Sequence, residues 1–338
     1  MIIDEREYRR RYLLRIKGAR DNKVYIGPET VSLDLINLCN LSCRFCSAQH
    51  APNNPFRSEK ARLFEWDDFL GVVGDCVDLK VNQLYLVGPG EPTLHPRFRD
   101  MMQHLERQPI TTKLFTNATF SPEYCADVLK GDHVIINLNA IDRQGYVDLK
   151  GKDLFDRVVA NIERLVSLRN TVKPEFGIKI AYILNAVTLP QKEKMLDLAS
   201  GLGVDMVNVI EMHGNAYNQD IALPQGSPGA KKTRTPPACL NGWFYMAVKL
   251  DDSASICCQI HKMPFGDFDK GHFKRFWLSQ RLMNLRLMGK YGQLQKMFKA
   301  CKTCPDYEEN IERAQRAGSG RPAAFKGSGG HSPKVETV

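Results

Sequence analysis

Cys39-Asn40-Leu41-Ser42-Cys43-Arg44-Phe45-Cys46 sets three thiols at intervals of four and three residues. Three thiolates on one short loop can ligate three irons of a 4Fe–4S cube, leaving the fourth iron open to a small molecule. A zinc site or a chance cluster of buried thiols are the alternatives. Zinc sites commonly supply their ligands as two pairs, and no second pair lies near Cys46.

The chain around this loop has a repeating design. Thr30 to Ile36 alternates and is β-branched, so it reads as a strand running straight into the Cys loop. Leu63 to Leu79 carries Leu70, Val73, Cys76 and Val77 at helical spacing. Cys76 lies on that apolar face and reads as a core thiol. Asn82 to Val87 is a second strand, ending in Gly88-Pro89-Gly90-Glu91-Pro92-Thr93-Leu94-His95-Pro96. Glycine lets backbone approach a neighbour closely, and proline fixes the turn.

The spacing C-x3-C-x2-C, with the aromatic Phe45 before the last Cys, resembles the signature of the radical S-adenosylmethionine (radical SAM) superfamily. Gly88, Pro89, Gly90, Glu91 and Pro92 are similar to that family's GGEP motif, with Pro89 in place of the second glycine. The resemblance implies that Cys39, Cys43 and Cys46 hold a 4Fe–4S cluster and that SAM chelates its open iron. Phe45 would lie near the adenine, and the GGEP-like turn would bind the SAM amino group. One electron would then cleave SAM to a 5′-deoxyadenosyl radical that takes a hydrogen atom from a substrate.

The repeats continue. Helices are expected at 4–20, 98–105, 122–129, 153–168 and 190–202. Strands are expected at 112–116, 134–138, 175–184 and 204–210. Cys125 falls on the helix at 122–129 and reads as core. Six βα-type units from about residue 30 to 215 imply a parallel sheet. The expected fold is α/β, a partial (β/α)6 TIM-like barrel of the radical SAM type. Its site lies at the C-terminal strand ends. Asn117, Asn139 and Asn185 end three strands and are candidates for holding SAM or substrate, or are loop turns. Glu211 and His213 end the sixth and are candidate acid/base groups, or solvated loop residues.

Residues 216–237 are a linker rich in Gly, Pro, Lys and Asn. Residues 238–310 form a smaller unit, read as a hairpin (Trp243 to Leu250, then Ala254 to Cys258), a helix over 273–287 and the pair Cys301-x2-Cys304. On spacing alone, iron–sulfur and zinc both suit these cysteines. The unit resembles the twitch domain, a shortened SPASM domain, with Asp252 where that family has glycine. The resemblance implies an auxiliary 4Fe–4S cluster on Cys239, Cys257, Cys301 and Cys304. Cys258 then remains a spare thiol, either core or a hydrogen-atom donor near substrate.

Residues 1–29 are expected to be a helical extension. Residues 311–338, Gly/Ser/Pro-rich from Ala317, are expected to be disordered. The chain has 338 residues, ten of them Cys, and a net charge of +9. No apolar run is long enough to cross a membrane, and the charged N-terminus is no signal peptide. Ten Cys without a secretory signal suit a reducing, cytoplasmic setting. Residues 1–20 hold seven Lys/Arg against three Asp/Glu, and 311–338 hold five against two, leaving +2 for the body. Nucleic acid is therefore not expected as a partner. Peptide-modifying members of the family often carry a leader-peptide-binding domain and a larger, two-cluster SPASM domain. With about thirty residues before the first strand and four Cys in the extension, the resemblance implies a small carbohydrate-like substrate over a peptide. The resemblance extends to aminocyclitol- and sugar-modifying radical SAM enzymes. It implies oxidation of an alcohol to a ketone, with a flavodoxin or ferredoxin as electron donor. Epimerisation, decarboxylation and peptide modification are the alternatives among enzymes. A zinc-stabilised scaffold or nucleic-acid-binding protein is the alternative outside them.

Overall fold

A computed structural model describes residues 4–50, 60–212, 219–223, 235–260, 268–304, 306–319 and 334–337. Six strands pair in parallel in chain order: β1 (Thr30–Asp34), β2 (Gln83–Val87), β3 (Thr111–Thr116), β4 (His133–Asn137), β5 (Gly177–Leu184) and β6 (Met206–Glu211). Helices alternate with them: α1 (Glu5–Asp21), α2 (Ser47–His50), α3 (Trp66–Asp78), α4 (Phe98–Leu105), α5 (Tyr124–Val128), α6 (Arg143–Lys150), α7 (Phe155–Val172) and α8 (Lys192–Leu202). This is the expected parallel α/β architecture. No helix among the described residues is long and apolar enough to cross a membrane.

Period-2 alternation assigns the two faces of the sheet. Val31 and Leu33 of β1, and Leu84 and Leu86 of β2, join Phe69, Val72 and Val73 of α3 in the main core. Each such buried side chain contributes about 1.5–3 kcal/mol relative to exposure. The alternate residues, Ser32 and Asp34 on β1 and Tyr85 on β2, are left on the opposite, concave face. The strand C-termini and their loops open above that face.

The C-terminal unit is fused to this sheet. β7 (Tyr245–Val248) pairs parallel with β1, with Thr30 opposite Tyr245 and Leu33 opposite Val248. β8 (Ala254–Ser255) returns antiparallel on β7. The expected hairpin exists, but it extends the barrel sheet rather than standing apart. The expected single helix over 273–287 is two, α9 (Phe273–Trp277) and α10 (Gln280–Lys290). Ser279 breaks them, its hydroxyl accepting from the Leu282 amide at 3.2 Å as an N-cap.

The expectation of a tail without structure from 311 onward is corrected over two stretches. α11 (Tyr307–Ser319) is a helix, and its Ala317 packs with Tyr12, Ile16 and Ala19 of α1 and with Trp243 and Phe244. Arg313 crosses over the Phe244 ring at 4.2 Å. β9 (Lys334–Thr337) pairs antiparallel with β6. Apolar residues every third or fourth position along 307–319 carry the helix, whereas composition signalled only the Gly/Ser run after it.

Candidate functional site

The Cys39–Cys46 loop leaves the end of β1 and is tied on three sides. The Ser42 amide donates to the Lys150 carbonyl (3.1 Å) and the Arg44 amide to that of Leu149 (3.0 Å), fixing the loop to the end of α6. The Gly90 and Glu91 amides donate to the carbonyls of Ile36 (3.0 Å) and Leu38 (2.8 Å). A Cβ on Gly90 would stand 2.1 Å from the Leu38 oxygen, so only glycine fits this approach. Asn117, at the end of β3, donates from Nδ2 to Asn40 Oδ1 (3.0 Å) and lies 4.0 Å from Cys39 Sγ. The two sequence motifs and the third strand end therefore meet.

The Glu91 carboxylate is buried in the turn. Oε1 accepts from the Thr116 hydroxyl (2.6 Å) and the Thr93 hydroxyl (2.8 Å), and Oε2 from the Asn117 amide (2.8 Å). Its side chain thus welds the GGEP-like turn to β3. Burial pushes its pKa up, against the donors that favour the ionised form.

The cysteines at this loop are partly buried and electrostatically coupled. Burial pushes the Cys39 thiol up to about 11, with Glu91, Cys43 and Cys46 adding to the rise. Lys150 lies beneath the loop, an ammonium buried with its side chain. It donates to Asn137 O (2.8 Å) and Oδ1 (2.6 Å) and stands 5.0 Å from the Phe45 ring centroid. Burial lowers its pKa, and the three thiols oppose that. Lys150 and α6 were missed by sequence reasoning, because a lone lysine between strands carries no spacing signal.

The Oδ1 atoms of the other strand-end asparagines hold local backbone. Asn139 accepts from the Ile183 amide (2.5 Å), tying β4 to β5. Asn185 accepts from the Val187 (2.9 Å) and Thr188 (3.0 Å) amides, closing the turn after β5. Its Nδ2 is buried without a hydrogen-bond partner. Glu211 is the last residue of β6, opposite Leu184. His213 lies outside the described residues. His95 is a turn-holding group: Nδ1 accepts from the Arg97 amide (3.1 Å), leaving Nε2 to donate to Phe64 O (3.2 Å). Both nitrogens are thus engaged, and burial lowers its pKa.

A second thiol group lies beside β7 and β8. Cys239, Cys257, Cys301 and Cys304 line one pocket, with Ile256 and Leu294 among its apolar walls, and Cys258 is outside it. Burial pushes Cys239 up to about 12 and Cys304 up to about 11. The hydrogen bond with Cys258 and burial both raise Cys257. Cys258 is exposed. Among the described residues no three His, Cys, Asp or Glu side chains converge on a single-ion site. Three thiols around one loop and four around one pocket form donor sets that fit iron–sulfur clusters. At each, metal binding must displace the thiol protons.

Asp34 was also missed. It ends β1 on the concave face, where burial pushes its carboxyl up to about 7, with Lys249 opposing and Asp251 adding to the shift.

The model of the radical SAM superfamily matches residues 33–173. Over 188 residues the chain is 26% identical to a probable GTP 3′,8-cyclase of Saccharolobus islandicus, covering 55% of this chain and 57% of the relative. Over 187 residues it is 27% identical to a tungsten-containing aldehyde ferredoxin oxidoreductase cofactor-modifying protein of Pyrococcus furiosus, covering 52% of this chain and 49% of the relative. The chain thus spans about half the length of the curated relatives it matches. In fold it is similar to Streptococcus suis SuiB bound to S-adenosylmethionine (TM-score 0.63, 13% identity, 84% of this chain and 74% of that one). It is also similar to anSMEcpe with bound AdoMet (TM-score 0.55, 14% identity, 87% and 98%). That family implies a 4Fe–4S cluster and SAM, and the matched residues include the three-thiol loop and the Gly90 turn. Over residues 33–173 this chain is similar to the radical SAM superfamily, and over most of its length it shares the fold of these radical SAM neighbours.

Proposed function

We propose that the enzyme abstracts a hydrogen atom from a small carbohydrate-like substrate, an aminocyclitol, aminoglycoside or nucleoside sugar, and oxidises an alcohol to a ketone. The cluster at Cys39, Cys43 and Cys46 supplies, when bound, the electron that cleaves SAM. The observation that carries the reading is the second pocket, lined by Cys239, Cys257, Cys301 and Cys304. A 4Fe–4S cluster there has no open iron for substrate, so its use is to accept the electron that a net oxidation releases. Zinc in the same pocket could accept no electron.

The chain's own residues prepare the site. The α6 terminus and the GGEP-like turn hold the Cys loop rigid. Lys150 places a positive charge under the thiolates. Asp34 ends β1 and Lys249 follows the neighbouring β7, so the two polar groups interact at the ends of paired strands.

A second reading is favoured by the exposure of Cys258 beside Cys257. An exposed thiol can return a hydrogen atom to a substrate radical, which is epimerisation. Relatives named as GTP 3′,8-cyclases keep a nucleotide among the substrates to be screened.

The test is iron and sulfide content with EPR after anaerobic reconstitution, for wild type and a Cys39→Ala/Cys43→Ala/Cys46→Ala variant. About eight irons and about four are expected. About four and none would end the electron-acceptor reading and the dehydrogenase preference with it.

A further inference from the structure

The stretch 270–304 holds nine Lys or Arg and no Asp or Glu. The whole chain has 47 Lys and Arg against 38 Asp and Glu, so this stretch alone accounts for the net charge of +9. A nearly neutral body was therefore the sum of a basic segment and an acidic remainder.

The fold uses some of these cations internally. Lys270 is buried and pairs with Asp252 at 2.6 Å, and Lys274 pairs with Asp78 at 2.8 Å. Arg286 is buried on the carbonyls of Gly242 (2.8 Å) and Trp277 (2.9 Å). Lys290 bonds to Arg20 O and Asn22 Oδ1. Lys296, Lys299 and Lys302 differ. All are exposed, and among the described residues no carboxylate pairs with them.

These lysines lie on two 3-10 turns, Leu294–Lys296 and Lys299–Thr303. Residues three apart in a 3-10 turn eclipse, so Lys299 and Lys302 share a side. The same segment turns Leu294, Gln295, Ala300 and Cys301 inward as a wall of the thiol pocket. One thickness of chain thus separates uncompensated cations from Cys301. Met297 (43% exposed), next to Lys296 in the chain, and Tyr291 (60%), five residues before that lysine, add exposed apolar surface to the same segment.

We propose that the exposed segment 291–302, through Lys296, Lys299 and Lys302 with Met297 and Tyr291, docks a small acidic one-electron carrier protein against the C-terminal thiol site. This rests on reading those thiols as iron–sulfur ligands. Unpaired cations attract an acidic partner over a distance and raise its encounter rate, an effect that salt weakens. The apolar side chains supply contact once it arrives. Exchange needs proximity alone. One electron crosses, carrier and cluster change charge by one in opposite senses, and no bond or proton moves.

Flavodoxin is the probe, titrated calorimetrically into the reconstituted full-length protein. Binding should weaken about tenfold or more between low and near-physiological salt. Lys296→Glu/Lys299→Glu/Lys302→Glu should weaken it at least tenfold, while the corresponding triple Arg variant retains it. Arg6→Glu/Arg9→Glu, on α1, should leave it unchanged. Equal loss in the α1 variant, or no loss in the triple Glu variant, overturns the assignment. So does a single-stranded RNA that binds this face more tightly and displaces flavodoxin. Iron content of the same samples reports separately on the underlying reading: flavodoxin bound by protein lacking C-terminal iron would remove the electron exchange and leave the surface.

Discussion

The Lys150 ammonium stands 5.0 Å from the centre of the Phe45 ring, a buried cation beneath the loop that carries the three thiols. Its other bonds, to Asn137 O and Oδ1, fix it in place. It therefore offers a preorganised positive charge where thiolates must gather.

Lys150→Met removes that charge and its hydrogen bonds to Asn137 O and Oδ1, the latter still accepting from Asn139 Nδ2, a loss of about 1–3 kcal/mol. The variant is expected to lose iron from the Cys39, Cys43 and Cys46 site and to keep that of the C-terminal site. Iron counts with EPR of the reduced protein check this; full retention at the first site would deny Lys150 the role.

Gly90→Ala must push the Cys loop aside, because the new methyl meets the Leu38 carbonyl and the Asn37 backbone, at 2.1 and 2.7 Å. Overpacking against backbone costs about 1–3 kcal/mol or more. SAM binding, measured calorimetrically on reconstituted protein, should fall at least tenfold, with the C-terminal site unaffected.

Asp34 gives a stability signature. Its folded carboxyl titrates near 7 against an ordinary 3.8. The folded state therefore holds the proton more tightly, and this group's contribution is lost as pH rises through about 4 to 7. The full difference is at most on the order of 4 kcal/mol. Asp34→Asn should melt well above wild type near pH 8, and the gap should close near pH 5. A gap independent of pH would mean that Asp34 is not buried as a carboxyl in solution.

Cys257→Ser is expected to lose the iron of the C-terminal site, and Cys258→Ser to keep it, since only Cys257 lines the pocket. Iron loading there should quicken with rising pH, because ligation must take protons from thiols that burial holds near 11 and 12. Turnover of Cys258→Ser then separates the two reactions: unchanged for dehydrogenation, lost for epimerisation with hydrogen abstraction retained.

The parallel strands and most helices were legible because each is local. Val31 and Leu33, or Leu84 and Leu86, alternate within one strand, and Gly90 and Pro92 mark their turn in the sequence itself. The contacts that complete the site are not local. Lys150 acts on Phe45 from more than a hundred residues away, through a helix that no spacing advertised. Glu91 sits in the turn that the resemblance assigns to the SAM amino group, and the donors from Thr116 and Asn117 that hold its carboxylate come from another strand end. The hairpin at 245–255 was visible, yet its pairing with β1 depends on a crossover spanning the whole barrel, which periodicity does not encode. The basic face at 296–302 was hidden for a different reason: charge was summed over a span long enough for acidic stretches to cancel it.

β7 lies against β1 in a parallel ladder, so the strand that launches Cys39 and the strand whose turn leads to Cys257 are neighbours. Adjacent strands sit about 4.8 Å apart and cannot slide without flipping every side chain to the other face. The gap between the two thiol centres is thereby a constant of the molecule, as fixed as a bond angle is in a ring. Deleting the chain from about residue 238 would not free an appendage. It would strip one side of β1, bare its unpaired amides and carbonyls, and unseat the first centre along with the second.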